Sequence, residues 1–155
     1  MKPKLTALVV AALAFGSTQA AGLHPAGDHA DTITREGYTL VFNNLQPDFD
    51  TITRRRMIDA FFNVYPKEAR RFNAHTAQKV VFSIDPGYDG VAATSGDRVS
   101  YNPKWLKDHP EDIDVVTHEV MHIVQAYKHS VPGWLTEGIA DYARYVYGVN
   151  NQKGN

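Results

Sequence analysis

A His-Glu-x-x-His sequence in the last third of the chain most constrains what this protein can fold into. It runs from His118 to His122, within a stretch whose residue pattern is typical of a helix. Residues four apart on a helix lie one above the other, so both imidazoles can bind one metal ion while Glu119 lies beside the open coordination position. The spacing therefore predicts a helix that carries part of a zinc site.

A second segment, Trp134 to Asp141, supplies a candidate for the third ligand. A catalytic zinc site uses three protein ligands and one exchangeable water. Glu137 follows His122 at a separation that leaves room for a turn through residues 130–133 and a second helix folding back. We therefore predict that His118, His122 and Glu137 bind one zinc ion.

Two solvated helix faces are the alternative explanation for this pattern. The first helix has an apolar stripe formed by Ile113, Val116, Val120, Ile123, Val124 and Tyr127. The second has a stripe formed by Leu135, Ile139, Tyr142 and Val146. The candidate ligands lie opposite these stripes, where solvent-facing residues also lie. The two segments taken together favour the metal site.

The residues around the motif, THEVMHIVQ and PGWLTEGIADYARY, resemble the basic secretory protein family, the peptidases of plants and bacteria. Asp85–Trp105 is similar to the same family, and the resemblance extends from about Tyr38 to the end of the chain. It implies an α+β, zincin-like fold, in which a small mixed sheet packs with helices and two helices carry the metal site. Members continue with further helical sequence, so the peptidase domain expected over residues 37–155 is short at its C-terminus.

The family resembles the gluzincin branch of zinc proteases, and this implies a role for each site residue. Zn²⁺ is the implied cofactor, held by the three ligands named above, and Glu119 is the implied general base. In thermolysin-like enzymes of that branch, the acid four residues after the ligand glutamate orients a zinc-binding histidine. Asp141 occupies that position, with His118 as its expected partner. The candidates for the oxyanion donor, among which sequence does not choose, are Tyr127, Tyr142, Tyr145 and Arg144.

The first twenty residues have the pattern of a secretory signal peptide. Lys2 and Lys4 precede an apolar run from Leu5 to Phe15, and small residues end at Ala20. Because the run is too short to span a bilayer, we expect cleavage after Ala20 and no stable membrane association afterwards. The mature protein is expected to be secreted, periplasmic or extracellular. Residues 21–36 lack periodicity and are predicted to form a flexible leader.

The charge balance argues against nucleic acid as the partner. The net charge is −1 and becomes more negative once Lys2 and Lys4 are removed. The basic clusters at residues 54–56 and 70–71 are best explained as solvated helix surface. The chain has no cysteine, which excludes thiol catalysis and disulfides. The pattern does not indicate an oligomeric state.

The remaining periodicities predict a mixed set of elements. Strands are expected at Thr39–Phe42 and Lys79–Ile84, separated by a helix from Asp48 that ends at Pro66. The stretches 91–94 and 98–101 predict a hairpin, and the ligand-bearing helix is expected to begin at residue 110 or 111. The small residues 92–94 would leave room for a substrate peptide to pair as an added strand, or they simply ease hairpin packing.

The function predicted from sequence is a secreted zinc-dependent peptidase that acts on peptides or proteins. A metal-activated water would attack the peptide bond, with Glu119 as general base. The first alternative is a noncatalytic, zinc-stabilised binding module derived from a truncated peptidase domain. A metal-free interaction domain is the second alternative.

Overall fold

A mixed five-stranded sheet and four helices make up the fold, which the computed structural model describes for residues 30–150. The strands are β1 (Ala30–Arg35), β2 (Tyr38–Asn44), β3 (Lys79–Ile84), β4 (Ala92–Ser95) and β5 (Arg98–Tyr101). The helices are α1 (Thr51–Phe72), α2 (Pro103–Asp108), α3 (Val115–Gln125) and α4 (Gly133–Tyr147). The expected signal peptide (1–20) and the first part of the expected leader (21–29) lie outside the described residues.

The strand order is β1-β2-β3-β5-β4. The three inner strands run parallel to one another, while β1 and β4 pair antiparallel at the two edges. The α+β class and the small mixed sheet predicted from the sequence are confirmed. No helix within residues 30–150 is long and apolar enough to cross a membrane.

One face of the sheet forms the core. Phe42, Phe82 and Val99 are in register across the three inner strands, and all three are fully buried. Helix α1 packs on this face, where the ring of Phe61 meets that of Phe82 edge-on at a centroid distance of 5.5 Å. Helix α3 packs against α1 and against β4 and β5. Burial of each such side chain contributes about 1.5–3 kcal/mol, and the packing fixes α3 beside the sheet edge formed by β4.

The flexible leader predicted for residues 21–36 is wrong for its last third. Ala30–Arg35 form strand β1, which pairs with β2 from Ala30 opposite Asn43 to Arg35 opposite Tyr38. Glu36 and Gly37 make the two-residue turn, with φ angles of 49° and 85°. Positive φ at both positions is the type I′ geometry whose twist suits a hairpin. In the sequence, this turn is indicated by the Glu-Gly pair between two Thr-containing runs.

Helix α1 is longer than predicted, because it continues through Pro66 and ends at Phe72. Proline removes one backbone hydrogen bond from a helix and usually kinks or ends it. Here Tyr65, Pro66 and Ala69 are all buried. Packing on both sides of the proline therefore keeps the chain helical. The N-terminus is capped by Asp50, whose carboxylate accepts a hydrogen bond of 2.7 Å from the Thr53 backbone N–H.

Helix α3, which contains the His-Glu-x-x-His sequence, begins at Val115, later than the predicted start at residue 110 or 111. The residues before it form turns, with Asp112 N–H bonded to the His109 carbonyl at 3.0 Å. The Asp112 carboxylate also forms a buried ion pair with Arg144 and accepts a hydrogen bond of 3.1 Å from the Trp105 indole. These tertiary contacts hold the segment in turns where local signals favoured a helix.

The predicted buried stripe of α4 is confirmed for Ile139, which packs against the core, but is wrong for its second half. Tyr142 and Val146 are exposed, whereas Ala140, Ala143 and Arg144 are buried. Small alanines allow α4 to pack closely on α3, and Arg144 is buried because it pairs with Asp112. The orientation of α4 is therefore set by its partner helix. The predicted stripe of α3 is buried as expected, except for Tyr127, which lies beyond the helix end and is half exposed.

Candidate metal centre and cleft

The two histidines of the motif lie one turn apart on α3 and approach each other closely. Their Nε2 atoms are 3.2 Å apart, and the ring planes are nearly perpendicular. Both side chains are partly buried at the base of a cleft. The helical spacing of four residues thus brings two imidazole nitrogen atoms to one point, as the sequence predicted.

Glu137 reaches the same point from the second turn of α4. Its Oε2 atom lies 3.2 Å from His118 Nε2 and 3.6 Å from His122 Nε2. Zinc bonds of about 2.0–2.1 Å at a tetrahedral angle would place neighbouring ligand atoms about 3.3 Å apart. The three atoms therefore fit one face of the coordination sphere of a zinc-sized ion.

The other ring nitrogen of each histidine, Nδ1, lies within hydrogen-bond distance of an acceptor. Nδ1 of His118 lies 3.1 Å from the Asp141 carboxylate. Nδ1 of His122 lies 2.9 Å from Oε1 of Gln125, whose amide nitrogen donates to the Thr136 carbonyl at 2.8 Å. Because that carbonyl can only accept, the Gln125 amide must present its oxygen to His122. Both rings therefore carry a proton on Nδ1.

This protonation pattern makes the cluster electron-rich at its centre. A neutral imidazole with its proton on Nδ1 has a lone pair on Nε2. The lone pairs of His118 and His122 and the Glu137 carboxylate thus converge within 3.6 Å of one another. Three acceptors at this separation repel one another unless a metal ion or a proton on one of the rings lies between them. The donor set and its geometry suit Zn²⁺, for which imidazole nitrogen and carboxylate oxygen are common ligands.

Glu119 is buried beside this cluster, with 7% of its surface exposed. The hydroxyl of Thr94, on strand β4, lies 2.7 Å from Glu119 Oε2 and 2.9 Å from the Glu119 backbone carbonyl. The hydroxyl therefore restricts the direction of the carboxylate and joins α3 to the sheet edge. The cluster whose possible ligand atoms all lie within 4.8 Å of one another consists of His118, His122 and Glu137, without Glu119.

Tyr101 adds a second polar group on this side of α3. Its side chain is fully buried, and its hydroxyl has no hydrogen-bond partner within residues 30–150. Burial, followed by the negative charge of Glu119, raises the pKa of Tyr101 well above its usual range. The phenol therefore stays protonated at physiological pH.

An open cleft of about 540 Å³ connects the cluster with the edge of the sheet. One wall is strand β4 and the turn after it, represented by Ala92, Ala93, Thr94 and Gly96. Because β4 pairs with β5 alone among the described strands, one side of its backbone is free within residues 30–150 to pair with another chain. The opposite wall comes from α3 and from Thr136 and Glu137 of α4. The cleft can therefore hold an extended chain that passes over the three ligand atoms.

The four candidates for an oxyanion donor lie in different places. Tyr127 lines the cleft. Arg144 is buried in its ion pair with Asp112, and the Tyr142 hydroxyl accepts a hydrogen bond of 3.0 Å from Arg71. Tyr145 lies on the exposed surface of α4. Of the four, Tyr127 is the one with access to the cleft.

The parts played by two polar residues, Gln125 and Thr94, have no counterpart among the sequence predictions. Gln125 was not singled out, although it lies three residues after His122 and hence on the same side of the helix. Thr94 was considered for its small size, whereas the structure uses its hydroxyl. The helical spacing could have indicated the first contact. The second joins residues from distant parts of the chain and left no local signal.

Comparison with known proteins gives a match over all of the described residues. The sequence model of the family described as "Peptidase of plants and bacteria" matches residues 27–154. The match includes β1, which lies within the region that we had expected to form a leader. No curated protein matches the chain.

Proposed function

The chain belongs to the family of peptidases of plants and bacteria, and we propose that it is a zinc-dependent peptidase whose site is formed by α3 and α4. The observation that carries this proposal is the convergence of three electron-rich ligand atoms beside the buried carboxylate of Glu119. A solvated pair of helix faces would not require this arrangement. The expected substrate is a peptide or protein, in keeping with the family.

In this proposal His118, His122 and Glu137 hold the ion. Zinc bound there would supply a Lewis acid that polarises the peptide carbonyl and acidifies a water molecule. Glu119 accepts a proton from the attacking water and delivers it to the departing amine. Thr94 keeps the Glu119 carboxylate directed into the cleft. Tyr127 is the candidate donor to the oxyanion.

The free edge of β4 is the proposed docking site for substrate. An extended peptide that pairs with this edge would lie along Ala92, Ala93 and Thr94. Its carbonyl groups would then pass above the ligand atoms, with the small side chains leaving room for the peptide. A zincin-like relationship of the whole fold and export after cleavage at Ala20 are parts of the same proposal.

A noncatalytic module that keeps zinc only for stability is the rival function. It shares the donor set and the cleft but makes no use of Glu119 in proton transfer. The two functions are separated by hydrolysis of a generic protein substrate by zinc-loaded protein, with a chelator-treated sample beside it. Cleavage that disappears with the chelator and returns with zinc supports the peptidase.

We expect one zinc ion per chain and a fall in melting temperature on treatment with EDTA. A ligand at about 100 times its dissociation constant stabilises a protein by about 2.7 kcal/mol, which corresponds to about 5–10 °C for a chain of this size. Elemental analysis and thermal melts of the same sample measure both quantities. His122→Ala should contain no zinc and should melt at the same temperature with and without EDTA.

The matched control for that measurement is His75→Ala, because His75 is exposed and lies outside the cluster. It should keep the zinc and the response to EDTA. A parent protein that takes up no zinc and ignores EDTA would refute the metal site. That outcome would favour a metal-free interaction domain as the function of the chain.

Asp141→Asn is expected to weaken zinc binding without abolishing it. The amide oxygen can still accept from His118 Nδ1, but the negative charge that supports this hydrogen bond is lost. Changes of this kind weaken metal affinity or activity by about 10- to 100-fold, and Asp141→Ala should give the larger effect. Competition with a chromophoric chelator measures the affinity. Asp89→Asn, at an exposed site, is the control, and equal affinities for all variants would contradict the role of Asp141.

A further inference from the structure

The side chain of Gln125 joins two of the proposed ligands through a pair of hydrogen bonds. From this geometry we infer that Gln125 is a positioning residue for the metal centre, one that orients His122 and Glu137 together. This inference rests on the proposed zinc site and adds to it a residue outside the ligand motif. Gln125 is the last residue of α3, and the chain leaves the helix directly after it at Ala126 with a φ of 41°.

The two hydrogen bonds of Gln125 have opposite directions. Its Oε1 atom accepts from His122 Nδ1 at 2.9 Å, and its Nε2 atom donates to the Thr136 carbonyl at 2.8 Å. Only an amide in this orientation satisfies both partners, because the ring must donate and the backbone carbonyl must accept. The first bond fixes the tautomer of His122 and points its Nε2 lone pair toward the cleft.

The second hydrogen bond acts on the third ligand. Thr136 immediately precedes Glu137 and lies in the first turn of α4. Holding its carbonyl therefore sets the position of this turn relative to the end of α3. The turn lacks a side-chain cap at its N-terminus, since Pro132 occupies the cap position. Gln125 thus holds the first turn of α4, the helix that carries the proposed ligand Glu137.

The two histidines are held in different ways. His118 contacts a carboxylate on α4, Asp141, while His122 contacts a neutral amide on its own helix. Replacement of the Gln125 amide can therefore separate the effect of its contact with His122 from the effect of its contact with the Thr136 carbonyl. A methionine of similar length removes both hydrogen bonds. A glutamate keeps an acceptor for His122 but sets a negative charge against the Thr136 carbonyl.

The test compares Gln125→Met and Gln125→Glu with the parent, using zinc affinity and the tautomer of His122. We expect Gln125→Met to bind zinc about 10- to 100-fold more weakly, as for other changes behind metal ligands. Nitrogen NMR of the metal-free protein should show that His122 loses its single Nδ1-protonated tautomer in Gln125→Met and keeps it in Gln125→Glu. The zinc affinity of Gln125→Glu should still fall, because the hydrogen bond to the Thr136 carbonyl on α4 is lost.

Gln78→Met is the matched control, since Gln78 is exposed and its side chain makes no hydrogen bond within the described residues. It should leave affinity and tautomer unchanged. Parent-like zinc affinity and an unchanged His122 tautomer in Gln125→Met would overturn the inference. So would a variant that loses the same stability with and without zinc and keeps the zinc affinity of the parent. A parent without zinc would instead refute the proposed function, and the tautomer would still report on Gln125. If Gln125→Met does not fold, Gln125→Glu carries the test through its affinity and tautomer.

Discussion

Glu119→Gln is expected to reduce peptide hydrolysis by about 10²- to 10⁴-fold while zinc content stays near that of the parent. The glutamine side chain has the shape of glutamate, but its amide cannot accept the proton that the proposed mechanism removes from water. Its carbonyl oxygen can still accept the hydrogen bond from Thr94. The variant should therefore fold normally and keep its ligands in place. Stability can rise slightly, because a partly buried charge is removed.

Zinc content, melting temperature and turnover need to be measured on one preparation of each protein. Glu111→Gln makes the same chemical change at an exposed position and should keep full activity. Undiminished cleavage by Glu119→Gln would refute the mechanism. An inactive parent with one zinc per chain would favour the noncatalytic module, because that function has no need of a base at residue 119.

The convergence of the three candidate ligands could be predicted from sequence because its information is local. His118 and His122 are brought together by helical spacing alone, and the connection at residues 126–132 allows Glu137 on α4 to return to them. Strand β3 and the second strand of the hairpin were also predicted with the observed bounds. Each of these features depends on residues that are near neighbours in the chain.

The remaining features depend on partners that are distant in sequence. Helix α4 turns Ala140, Ala143 and Arg144 inward because α3 and Asp112 face them, although its larger apolar residues predicted another face. The contact between Thr94 and Glu119 likewise needs β4 to lie beside α3. The hydrophobic periodicity of one helix does not show which of its two partly apolar faces a neighbouring helix will cover. This limit explains why the clustering of His118, His122 and Glu137 was predictable but the contacts that hold their side chains were not.

Glu68 is a further residue that sequence could not distinguish from the solvated charges of α1. It lies fully buried, and neither carboxylate oxygen has a hydrogen-bond partner within residues 30–150. Burial raises its pKa from 4.5 to about 9. The folded protein therefore holds a neutral carboxylic acid at physiological pH, while the unfolded chain holds a carboxylate.

This difference predicts a stability that falls as the pH rises. Below about pH 4.5 the carboxyl group of Glu68 is protonated in both states and imposes no penalty. Between that pH and about 9, the unfolded chain releases a proton that the folded protein retains. Each pH unit in this window then lowers the free energy of unfolding by up to about 1.4 kcal/mol.

Glu68→Gln should remove this pH dependence, because glutamine resembles the protonated acid and does not ionise. The variant and the parent should have similar free energies of unfolding at pH 5. By pH 8 the variant should be more stable by up to about 4 kcal/mol, since three pH units of the window have been crossed. Urea unfolding in the presence of EDTA measures this difference without the pH dependence of metal binding. Glu111→Gln corrects for the loss of an exposed charge, and a stability gap that is the same at both pH values would show that Glu68 ionises freely in the folded protein.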